Sequence, residues 1–384
     1  MNTIFIGNKL RGNKPVPIGD KHFPLIFANV GVNNGVNSLI TENEKIKHAI
    51  CVGADAITDL SMVDNIPYIQ SKLIESINKP FSVVTTYEAF ILAQKNSIKI
   101  SSEAFVRIFE QEALRGVDVI TLHATAFKDD IFTLNRSKRI IPCTSRGGAM
   151  MLEILKNNEY ENPYYLHLDE ILSIAAKYGV CISLGPCYRA GTVCDSLTED
   201  ELYLLELQRM SEILGKAQKK NVPIMMEGIG HASIDRIPQI ITKAKATCHN
   251  APYRVLTVAT DIALGYDHIA SAIASAIAVQ NGANSITCVT RSEHIGLPSV
   301  EDIEEAIITA KIAAHCGFIA KTGEFRQDKN MSIARTNKGC LGQIDQAIYK
   351  DGALAAMLRH NNERFGKTCD MCREYCPFEI INKL

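Results

Sequence analysis

The stretch that decides the fold runs Phe81-Ser82-Val83-Val84-Thr85-Thr86, then Ser101–Arg115, then Val117-Asp118-Val119-Ile120-Thr121-Leu122. The two apolar runs are rich in β-branched residues and do not alternate cleanly, which is typical of strands buried on both faces in a parallel sheet. Between them, Ser101–Arg115 places apolar residues at helical spacing. The order strand, helix, parallel strand predicts an α/β fold.

The same unit recurs about eight times along the chain. The candidate strands are Pro24–Ala28, Asp55–Thr58, Phe81–Thr86, Val117–Leu122, Arg139–Pro142, Val180–Leu184, Val222–Met226, Val255–Val258 and Ser285–Val289. Amphipathic stretches such as Leu168–Tyr178 and Glu199–Gln218 separate them. We therefore predict a (β/α)8 TIM-like barrel, which needs about 250 residues. A doubly wound open sheet is the alternative, but no G-x-G-x-x-G follows the first strand.

The part of the chain beyond the last strand is predicted to be mainly helical. Ser299 and Asp302 stand at capping-box positions before the helical stretch Ile303–Ala320, and Gly323 marks its end. Residues 321–340 are polar and predict a loop, Gln343–Arg359 predicts one more helix, and the polar run His360–Thr368 predicts a mobile link. The expected domains are a catalytic barrel at 1–300, a helical region at 301–360 and a cysteine tail at 361–384.

Three cysteines lie in the tail at the spacing C-x2-C-x3-C: Cys369, Cys372 and Cys376. Three thiolates can hold three corners of a [4Fe–4S] cluster and leave the fourth iron open. A closed zinc site needs four ligands, so it would have to borrow one, such as His360. Thiols without a metal are the third interpretation.

Composition excludes several classes of function. A net charge of −1 over 384 residues gives no electrostatic footprint for nucleic acid. No apolar run reaches membrane-spanning length, and Met1–Gly7 does not resemble a signal peptide, so we expect a soluble cytoplasmic protein. The twelve cysteines are irregularly spaced outside the tail, which favours a metal over a disulfide framework.

Polar residues follow nearly every apolar run. Because the carboxyl ends of barrel strands meet at one mouth, we expect these side chains to converge there, although each alone could be a capped turn. The residues are Asn29, Asp59, Ser61, Tyr87, Glu88, His123, Ser145, Arg146, Gly147, Gly148, Arg189, Glu227, His231, Asp261, Arg291, Glu293 and His294.

Two groups among these residues suggest ligands. Ser145-Arg146-Gly147-Gly148 offers a guanidinium, a hydroxyl and flexible backbone N–H groups, a set suited to phosphate, with a plain β-to-α turn as the alternative. His231 and His294 would suit a divalent metal, with the nearby acids Glu227 and Glu293 as partners of the histidines or as substrate contacts.

Taken in order, these segments resemble the phosphomethylpyrimidine synthase family of thiamine biosynthesis, and the resemblance covers almost the whole chain. The runs that carry it are Ala28–Gly31, Gly53–Asp55 with Asp59–Ser61, Ser145–Gly148, Ser183–Gly185, Glu227–His231, Thr260–Ala263 with Gly265–His268, Glu293–Pro298, Ile307–Thr309 with Lys311–His315, and the cysteine tail. The superfamily also contains 5-hydroxybenzimidazole synthase, which starts from the same substrate.

The resemblance implies a non-classical radical S-adenosylmethionine enzyme. Such enzymes are dimeric barrels, and the tail of each subunit reaches over the active site of its partner. The tail cluster binds S-adenosylmethionine and, with an electron from an external donor, yields a 5′-deoxyadenosyl radical. That radical rearranges aminoimidazole ribonucleotide, a phosphorylated imidazole, to hydroxymethylpyrimidine phosphate, with formate and carbon monoxide as by-products.

The resemblance also implies site residues by position. Cluster ligands fall on Cys369, Cys372 and Cys376, and a second metal (zinc or iron) falls on His231 and His294. Substrate contacts fall on Asn29, Tyr87, His123, Ser145, Arg146, Gly147, Arg189 and Glu227, with Arg254 at a further contact position. We expect Glu227 and the three cysteines to be the catalytic groups.

The departures from the family pattern concentrate around the expected ring and ribose. A substrate-binding aspartate is replaced by Pro186, a methionine by Thr58, and a tyrosine aligns with Arg254. The tail is one residue shorter before Cys376 than the usual C-x2-C-x4-C. Orthodox pyrimidine synthesis is the first hypothesis. The alternatives are a divergent paralogue that makes 5-hydroxybenzimidazole or another product, a zinc-stapled interaction protein, and an electron carrier.

Overall fold

The computed structural model describes residues 3–195, 197–360, 371–372, 375–381 and 383–384, without the side chains of 337–341, 360 and 379. The strands are β1 (Thr3–Ile6), β2 (Val16–Gly19), β3 (Leu25–Val30), β4 (Ala56–Asp59), β5 (Phe81–Val84), β6 (Val119–Leu122), β7 (Cys181–Leu184), β8 (Ile224–His231), β9 (Tyr253–Val258) and β10 (Ser285–Thr287). The helices are α1 (Leu39–Val52), α2 (Ile66–Glu75), α3 (Thr85–Gln94), α4 (Ser102–Leu114), α5 (Asp130–Arg136), α6 (Arg146–Asn157), α7 (Pro163–Leu166), α8 (Leu168–Tyr178), α9 (Glu201–Lys219), α10 (Ile237–Thr247), α11 (Asp267–Gln280), α12 (Val300–Thr322), α13 (Arg326–Ile344), α14 (Lys350–His360) and α15 (Pro377–Ile381).

Eight parallel strands close into a barrel in the order β10-β3-β4-β5-β6-β7-β8-β9, which confirms the predicted (β/α)8 fold. The strands β4, β5, β6 and β7 are buried at every position, as their β-branched, non-alternating sequences indicate. The register pairs Asn29 with Thr58 and Glu227 with Arg254 on neighbouring strands. Neighbouring strands therefore place these polar residues side by side.

The prediction of a strand at Arg139–Pro142 is wrong. This segment is a loop, and the backbone N–H groups of Ile140 and Ile141 donate to the Asp195 carboxylate at 3.0 and 2.9 Å instead of to a neighbouring strand. The Arg139 guanidinium is paired with Asp200. The two isoleucines look like a strand in sequence, but both side chains are exposed.

An antiparallel hairpin of β1 and β2, which the sequence analysis did not predict, covers the N-terminal end of the barrel. Ile4, Ile6 and Ile18 of the hairpin pack in one cluster with residues at the starts of the barrel strands, such as Leu25 and Val119. The Asp118 carboxylate anchors the segment after β1, because it accepts hydrogen bonds from Asn8 N at 2.7 Å and Phe81 N at 2.8 Å. The end of the barrel opposite the strand C-termini is thus filled.

The helical prediction after the barrel is partly confirmed. α12 begins with a capping box, in which Asp302 N donates to Ser299 Oγ at 3.1 Å and Ser299 N donates to Asp302 Oδ2 at 3.0 Å, and Gly323 follows its end with φ +72°. The loop predicted at 321–340 is wrong, because most of that segment lies in α13. Its lysine, arginine, glutamine and methionine residues are good helix formers that carry no apolar stripe. The helix predicted at Gln343–Arg359 begins later, as α14.

The chain divides into two compact units, Met1–Lys321 and Thr322–Leu384. The domain boundaries expected from sequence at residues 300 and 360 stay a prediction. Residues 361–370, which contain most of the predicted mobile link and Cys369, lie outside the described residues. Among the described residues, no helix is both long enough and apolar enough to span a membrane.

Candidate active site

The C-terminal mouth of the barrel opens into a cleft of about 1200 Å³, open solvent included. Six of the polar residues expected at the mouth do not line this cleft: Asp59, Ser61, Glu88, Gly148, Asp261 and Arg291. Asp59 is hydrogen-bonded to Ser61, Glu88 is paired with Arg115, and Arg291 is paired with Glu305 instead. The residues predicted to contact substrate or metal outside the tail all line the cleft. They are Asn29, Tyr87, His123, Ser145, Arg146, Gly147, Arg189, Glu227, His231, Arg254 and His294. They come from strands or loops all around the barrel, so the convergence follows from the closed topology. Their individual roles stay predictions.

The turn at Ser145–Gly147 presents a helix N-terminus to this cleft. Ser145 caps α6 by accepting a hydrogen bond from Gly148 N at 3.1 Å. A Cβ on Gly147 would overlap the His123 ring, so only glycine lets the turn approach that ring. The Arg146 guanidinium lies over the Tyr87 ring, 5.5 Å from its centroid. Backbone N–H groups, the helix dipole and a guanidinium together form a site suited to an anion such as phosphate.

Two polar atoms on the cleft wall need partners that the protein does not supply. Arg189 Nε and Asn29 Oδ1 are both buried and have no hydrogen-bond partner among the described residues. Arg189 Nη2 donates to Thr144 O at 3.4 Å, which orients the guanidinium beside the turn at Ser145. A buried donor and a buried acceptor without partners are costly unless a ligand satisfies them. Both atoms therefore support binding of a polar ligand.

Glu227 lies on β8 within a set of donors. Its Oε1 atom accepts hydrogen bonds from Ser183 Oγ at 2.6 Å and Thr121 Oγ1 at 3.1 Å, and Arg254 Nη1 lies 3.5 Å away. Burial raises the pKa of Glu227, but the Arg254 guanidinium and the Ser183 hydroxyl outweigh that effect and lower it below its ordinary value. Glu227 is therefore ionised at neutral pH.

His123 follows β6, two strands away from β8, and is buried. Burial lowers its pKa to about 4, although Glu227 partly offsets this effect. Its Nδ1 atom lies 3.2 Å from Thr86 Oγ1, which fixes the ring orientation. The imidazole is consequently neutral at physiological pH, and it can donate a hydrogen bond through one nitrogen and accept through the other.

His231 and His294 face each other with ring centroids 5.2 Å apart. His231 Nδ1 lies 2.6 Å from Asp261 Oδ1, and His294 Nδ1 lies 2.9 Å from Asp267 Oδ1. These contacts orient both rings and leave Nε2 of each for a metal, the usual arrangement around metal-bound histidine. Among the described residues, no group of three or more His, Cys, Asp or Glu could hold a metal ion, so water or substrate would have to complete the coordination.

The roles of Asp261 and Asp267 were not predicted from the sequence, where Glu227 and Glu293 are the acids nearest the histidines. Both aspartates stand in runs that carry the family resemblance, but spacing alone does not show which carboxylate reaches which ring. A further contact that was not predicted lies in the cleft, where Arg254 Nη2 donates to Thr58 Oγ1 at 2.8 Å.

Two of the three tail cysteines are described. Cys376 directly precedes α15, and its carbonyl accepts from Ile380 N at 3.0 Å, while the Cys372 carbonyl accepts from Tyr375 N at 2.9 Å. Both side chains are half-buried free thiols. Cys369 lies outside the described residues, so the predicted set of three ligands stays a prediction.

Comparisons with known proteins agree with this geometry. The model of the Radical SAM ThiC family matches residues 2–383. A phosphomethylpyrimidine synthase from Thermoanaerobacter sp. (strain X514) is 36% identical over 96% of this chain and 86% of its own length. The enzyme of that name from Pyrococcus abyssi is 36% identical over 100% of this chain and 90% of its own length.

Among solved structures, a dihydropteroate synthase from Coxiella burnetii is similar over 82% of this chain and 98% of its own, with 12% identity and a TM-score of 0.47. Membership of a radical SAM family implies a [4Fe–4S] cluster and S-adenosylmethionine as cofactors. Since the family model and the curated relatives both extend over nearly the whole chain, this protein belongs to the radical SAM ThiC family.

Proposed function

We propose that this protein is a radical S-adenosylmethionine lyase that rearranges aminoimidazole ribonucleotide to hydroxymethylpyrimidine phosphate in thiamine biosynthesis. The observation that carries the proposal is the cleft at the barrel mouth, which is lined by the eleven residues predicted as substrate or metal contacts outside the tail. The names of the relatives support the same reaction. A zinc-stapled interaction protein would have no need of this cleft.

Different residues of the cleft bind different parts of the substrate. Ser145, Arg146 and the N–H groups at the start of α6 bind the phosphate, with Arg189 at its side. Ionised Glu227 accepts hydrogen bonds from the ring or the ribose, and neutral His123 hydrogen-bonds the same part of the substrate. Asn29 Oδ1, which is buried and without a partner among the described residues, accepts from a substrate N–H or O–H. Held at these points, the substrate keeps one orientation throughout the rearrangement.

Cys369, Cys372 and Cys376 would hold the cluster. When it and S-adenosylmethionine are bound, they supply the one-electron reductive cleavage of the sulfonium C–S bond, with the electron coming from an external donor. The thiols must stay reduced for this, and the ten cysteines with described side chains are all free. We accordingly propose a cytoplasmic location.

Nε2 of His231 and Nε2 of His294 would hold a divalent metal, zinc or iron, which would fix a substrate or a water molecule at the mouth. The two histidine–aspartate contacts support this proposal. His294→Ala should lose this metal while keeping the iron–sulfur absorbance. Loss of that absorbance in the variant would contradict a division into two separate metal sites.

We also propose a homodimer in which the tail of one subunit reaches the active site of the other. The support is a surface beside the mouth, here called the apolar rim, that consists of Ile262, Leu264, Tyr266, Ile269, Ile273 and Ile295. All six side chains are exposed, Ile262 by 92%. An exposed apolar surface of this kind marks an interaction site.

The test is anaerobic reconstitution with iron, sulfide and a reductant, followed by S-adenosylmethionine with and without aminoimidazole ribonucleotide. We expect 5′-deoxyadenosine and hydroxymethylpyrimidine phosphate only when the ribonucleotide is present. Cys372→Ala should abolish both cluster and product, whereas Cys51→Ala, at an exposed cysteine of α1, should change neither. A loaded cluster with no cleavage of S-adenosylmethionine would refute the radical mechanism. Cleavage without a pyrimidine product would favour the divergent paralogue.

A further inference from the structure

Two backbone turns meet at the end of the cleft where the phosphate is proposed to bind. The phosphate turn, residues 143–148, leads into the start of α6, and the arginine turn, residues 186–189, follows β7 and carries Arg189. A Cβ on Gly148 would lie only 2.4 Å from Cys187 O, so the two backbones are in direct contact. The geometry of this end of the cleft therefore depends on how the two turns are held together.

The peptide groups of Cys187, in the arginine turn, are hydrogen-bonded on both sides. The N–H group donates to Glu206 Oε1 at 2.5 Å, and the carbonyl oxygen accepts from Cys143 Sγ at 2.9 Å. The direction of each bond is certain, because a backbone N–H only donates and a carbonyl only accepts. The arginine turn is thus attached to α9 on one side and to the phosphate turn on the other.

Glu206 makes the attachment to α9. Its Oε1 atom also accepts from Tyr188 N at 3.3 Å and from Thr125 Oγ1 at 2.8 Å. The residue is only 4% exposed, so bulk water does not compete for these donors. Two successive N–H groups of the arginine turn therefore share one buried carboxyl oxygen as their acceptor.

Cys143 makes the attachment to the phosphate turn through its sulfur. The Sγ atom donates to Cys187 O, and it accepts from Ser145 N at 3.3 Å. Burial raises the pKa of this thiol, so the S–H form, which is the form that donates, is present at neutral pH. Because Ser145 caps α6, the sulfur links the N-terminus of that helix to the segment that carries Arg189.

A further pair of contacts reaches Arg189 itself. Thr144 N donates to Arg189 O at 3.1 Å, and Arg189 Nη2 donates to Thr144 O at 3.4 Å. Thr144 lies between Cys143 and Ser145, so any shift of the phosphate turn moves the carbonyl that orients the guanidinium. The buried Nε atom of Arg189 has no partner among the described residues and is left for a ligand.

We propose that Glu206 and Cys143 are positioning residues for the phosphate of the substrate. They hold the arginine turn against the phosphate turn at the separation at which Arg189 and the start of α6 bind one phosphate group together. Neither side chain lines the cleft, so both act through the two turns. The proposal rests on the proposed function, because the ligand at this end of the cleft is the phosphate of the ribonucleotide.

The test uses the full-length protein, reconstituted with its cluster, and aminoimidazole ribonucleotide. Titration calorimetry gives the dissociation constant, and the phosphorus NMR signal of the bound ligand reports on the surroundings of its phosphate. In Cys143→Ala the dissociation constant should rise about tenfold, and the phosphorus signal should move toward that of the free ligand. Cys143→Ser, whose hydroxyl donates and accepts in the same way, should bind within about threefold of the wild type. Cys51→Ala, at an exposed position of α1, is the control.

Variants of Glu206 test the other attachment. Glu206→Leu removes the acceptor of the arginine turn, so the dissociation constant should again rise about tenfold, with the same change of the phosphorus signal. Glu206→Gln keeps an acceptor oxygen and should bind within about threefold of the wild type. Glu212→Leu, at an exposed position of the same helix, is the matched control. If Glu206→Leu does not fold, the Cys143 variants decide alone.

A wild-type affinity and phosphorus signal in either folded variant, Cys143→Ala or Glu206→Leu, would overturn this inference. A loss of affinity with an unchanged phosphorus signal would also overturn it, because the variant would then act on another part of the ligand. If the wild-type protein still converts the ribonucleotide, the proposed function stands and only the inference fails. If the wild-type protein does not bind the ribonucleotide at all, the proposed function fails as well.

Discussion

His231 Nδ1 lies 2.6 Å from Asp261 Oδ1, and Asp261 Oδ2 in turn accepts hydrogen bonds from Thr192 Oγ1 at 2.7 Å and Val193 N at 3.0 Å. The aspartate is thus fixed by the loop after β7 before it orients the histidine. Burial raises the pKa of Asp261, but the hydrogen bonds from His231 and Thr192 outweigh it and keep the carboxyl ionised.

Asp261→Asn should weaken the affinity of the mouth for a divalent metal by about 10- to 100-fold, because a neutral amide makes the imidazole a poorer ligand. Metal content after dialysis and zinc titration measure the effect, and the iron–sulfur absorbance should not change. Asp235→Asn is the matched control, since Asp235 is exposed in the loop after β8. Unchanged metal affinity in Asp261→Asn would contradict a metal site at His231.

Gly147→Ala should reduce the affinity for the phosphorylated substrate by about tenfold or more, because the new methyl group displaces the His123 ring and the turn that binds phosphate. Substrate titration and the melting temperature separate loss of binding from loss of folding. Gly215→Ala on α9 is the control, as the nearest atom to its Cβ is His249 Nε2 at 4.0 Å. The prediction is wrong if both variants bind substrate like the wild type.

Glu206 on α9 should make folding stability depend on pH. Burial raises its pKa from 4.5 to about 7, although hydrogen bonds from Cys187 N and Thr125 Oγ1 oppose this effect. The stability that its protonated form provides is fully present below about pH 4.5 and is lost as the pH rises through about 7. Between pH 5 and pH 8 the loss is about 2 to 3 kcal/mol.

Urea unfolding at pH 5 and pH 8 tests this prediction. Glu206→Gln keeps an acceptor oxygen but cannot ionise, so it should gain about that much stability relative to the wild type at the higher pH. Glu212→Gln, at an exposed position of the same helix, should follow the wild-type pH dependence. A parallel response of Glu206→Gln and the wild type would show that Glu206 does not ionise in this range.

Ile262→Asp on the apolar rim should convert the proposed dimer to a monomer, because a carboxylate at the centre of an apolar contact must be desolvated without a partner. Light scattering coupled to size-exclusion chromatography reads out the mass. Leu114→Asp, at an exposed apolar position at the end of α4, should leave the mass unchanged. A monomeric wild-type protein, or a dimer in both variants, would refute the rim as the interface.

The barrel and most of its site could be predicted because strand ends meet at one mouth in this topology. Asn29 and Glu227 needed only their position after an apolar run, whereas Arg254 was assigned by the family resemblance, because the predicted strand began at Val255. The β1–β2 hairpin was not predictable in this way, since Thr3–Ile6 is too short for a periodic signal and Pro17 argues against a strand. Arg139–Pro142 has the composition of a strand, but the backbone N–H groups of Ile140 and Ile141 donate to the Asp195 carboxylate.

Contacts between side chains from distant parts of the chain could not be predicted from the sequence either. The pairing of His294 with Asp267 and of Arg254 with Thr58 depends on how neighbouring loops and strands are placed. Spacing along the sequence carries no information about such contacts. α13 was missed for a different reason, because a helix without an apolar stripe has no hydrophobic period to detect.

The hairpin at the base of the barrel also bears on the order of events during turnover. Because Ile4, Ile6 and Ile18 fill that end, the described part of the cleft communicates with solvent through the strand C-termini. Substrate, S-adenosylmethionine and their products then enter and leave through the same opening. If S-adenosylmethionine binds above the substrate, as the proposed reach of the tail requires, the phosphorylated substrate has to enter before S-adenosylmethionine, and its product leaves after the cleaved cofactor. Steady-state kinetics should accordingly show compulsory-order binding and release.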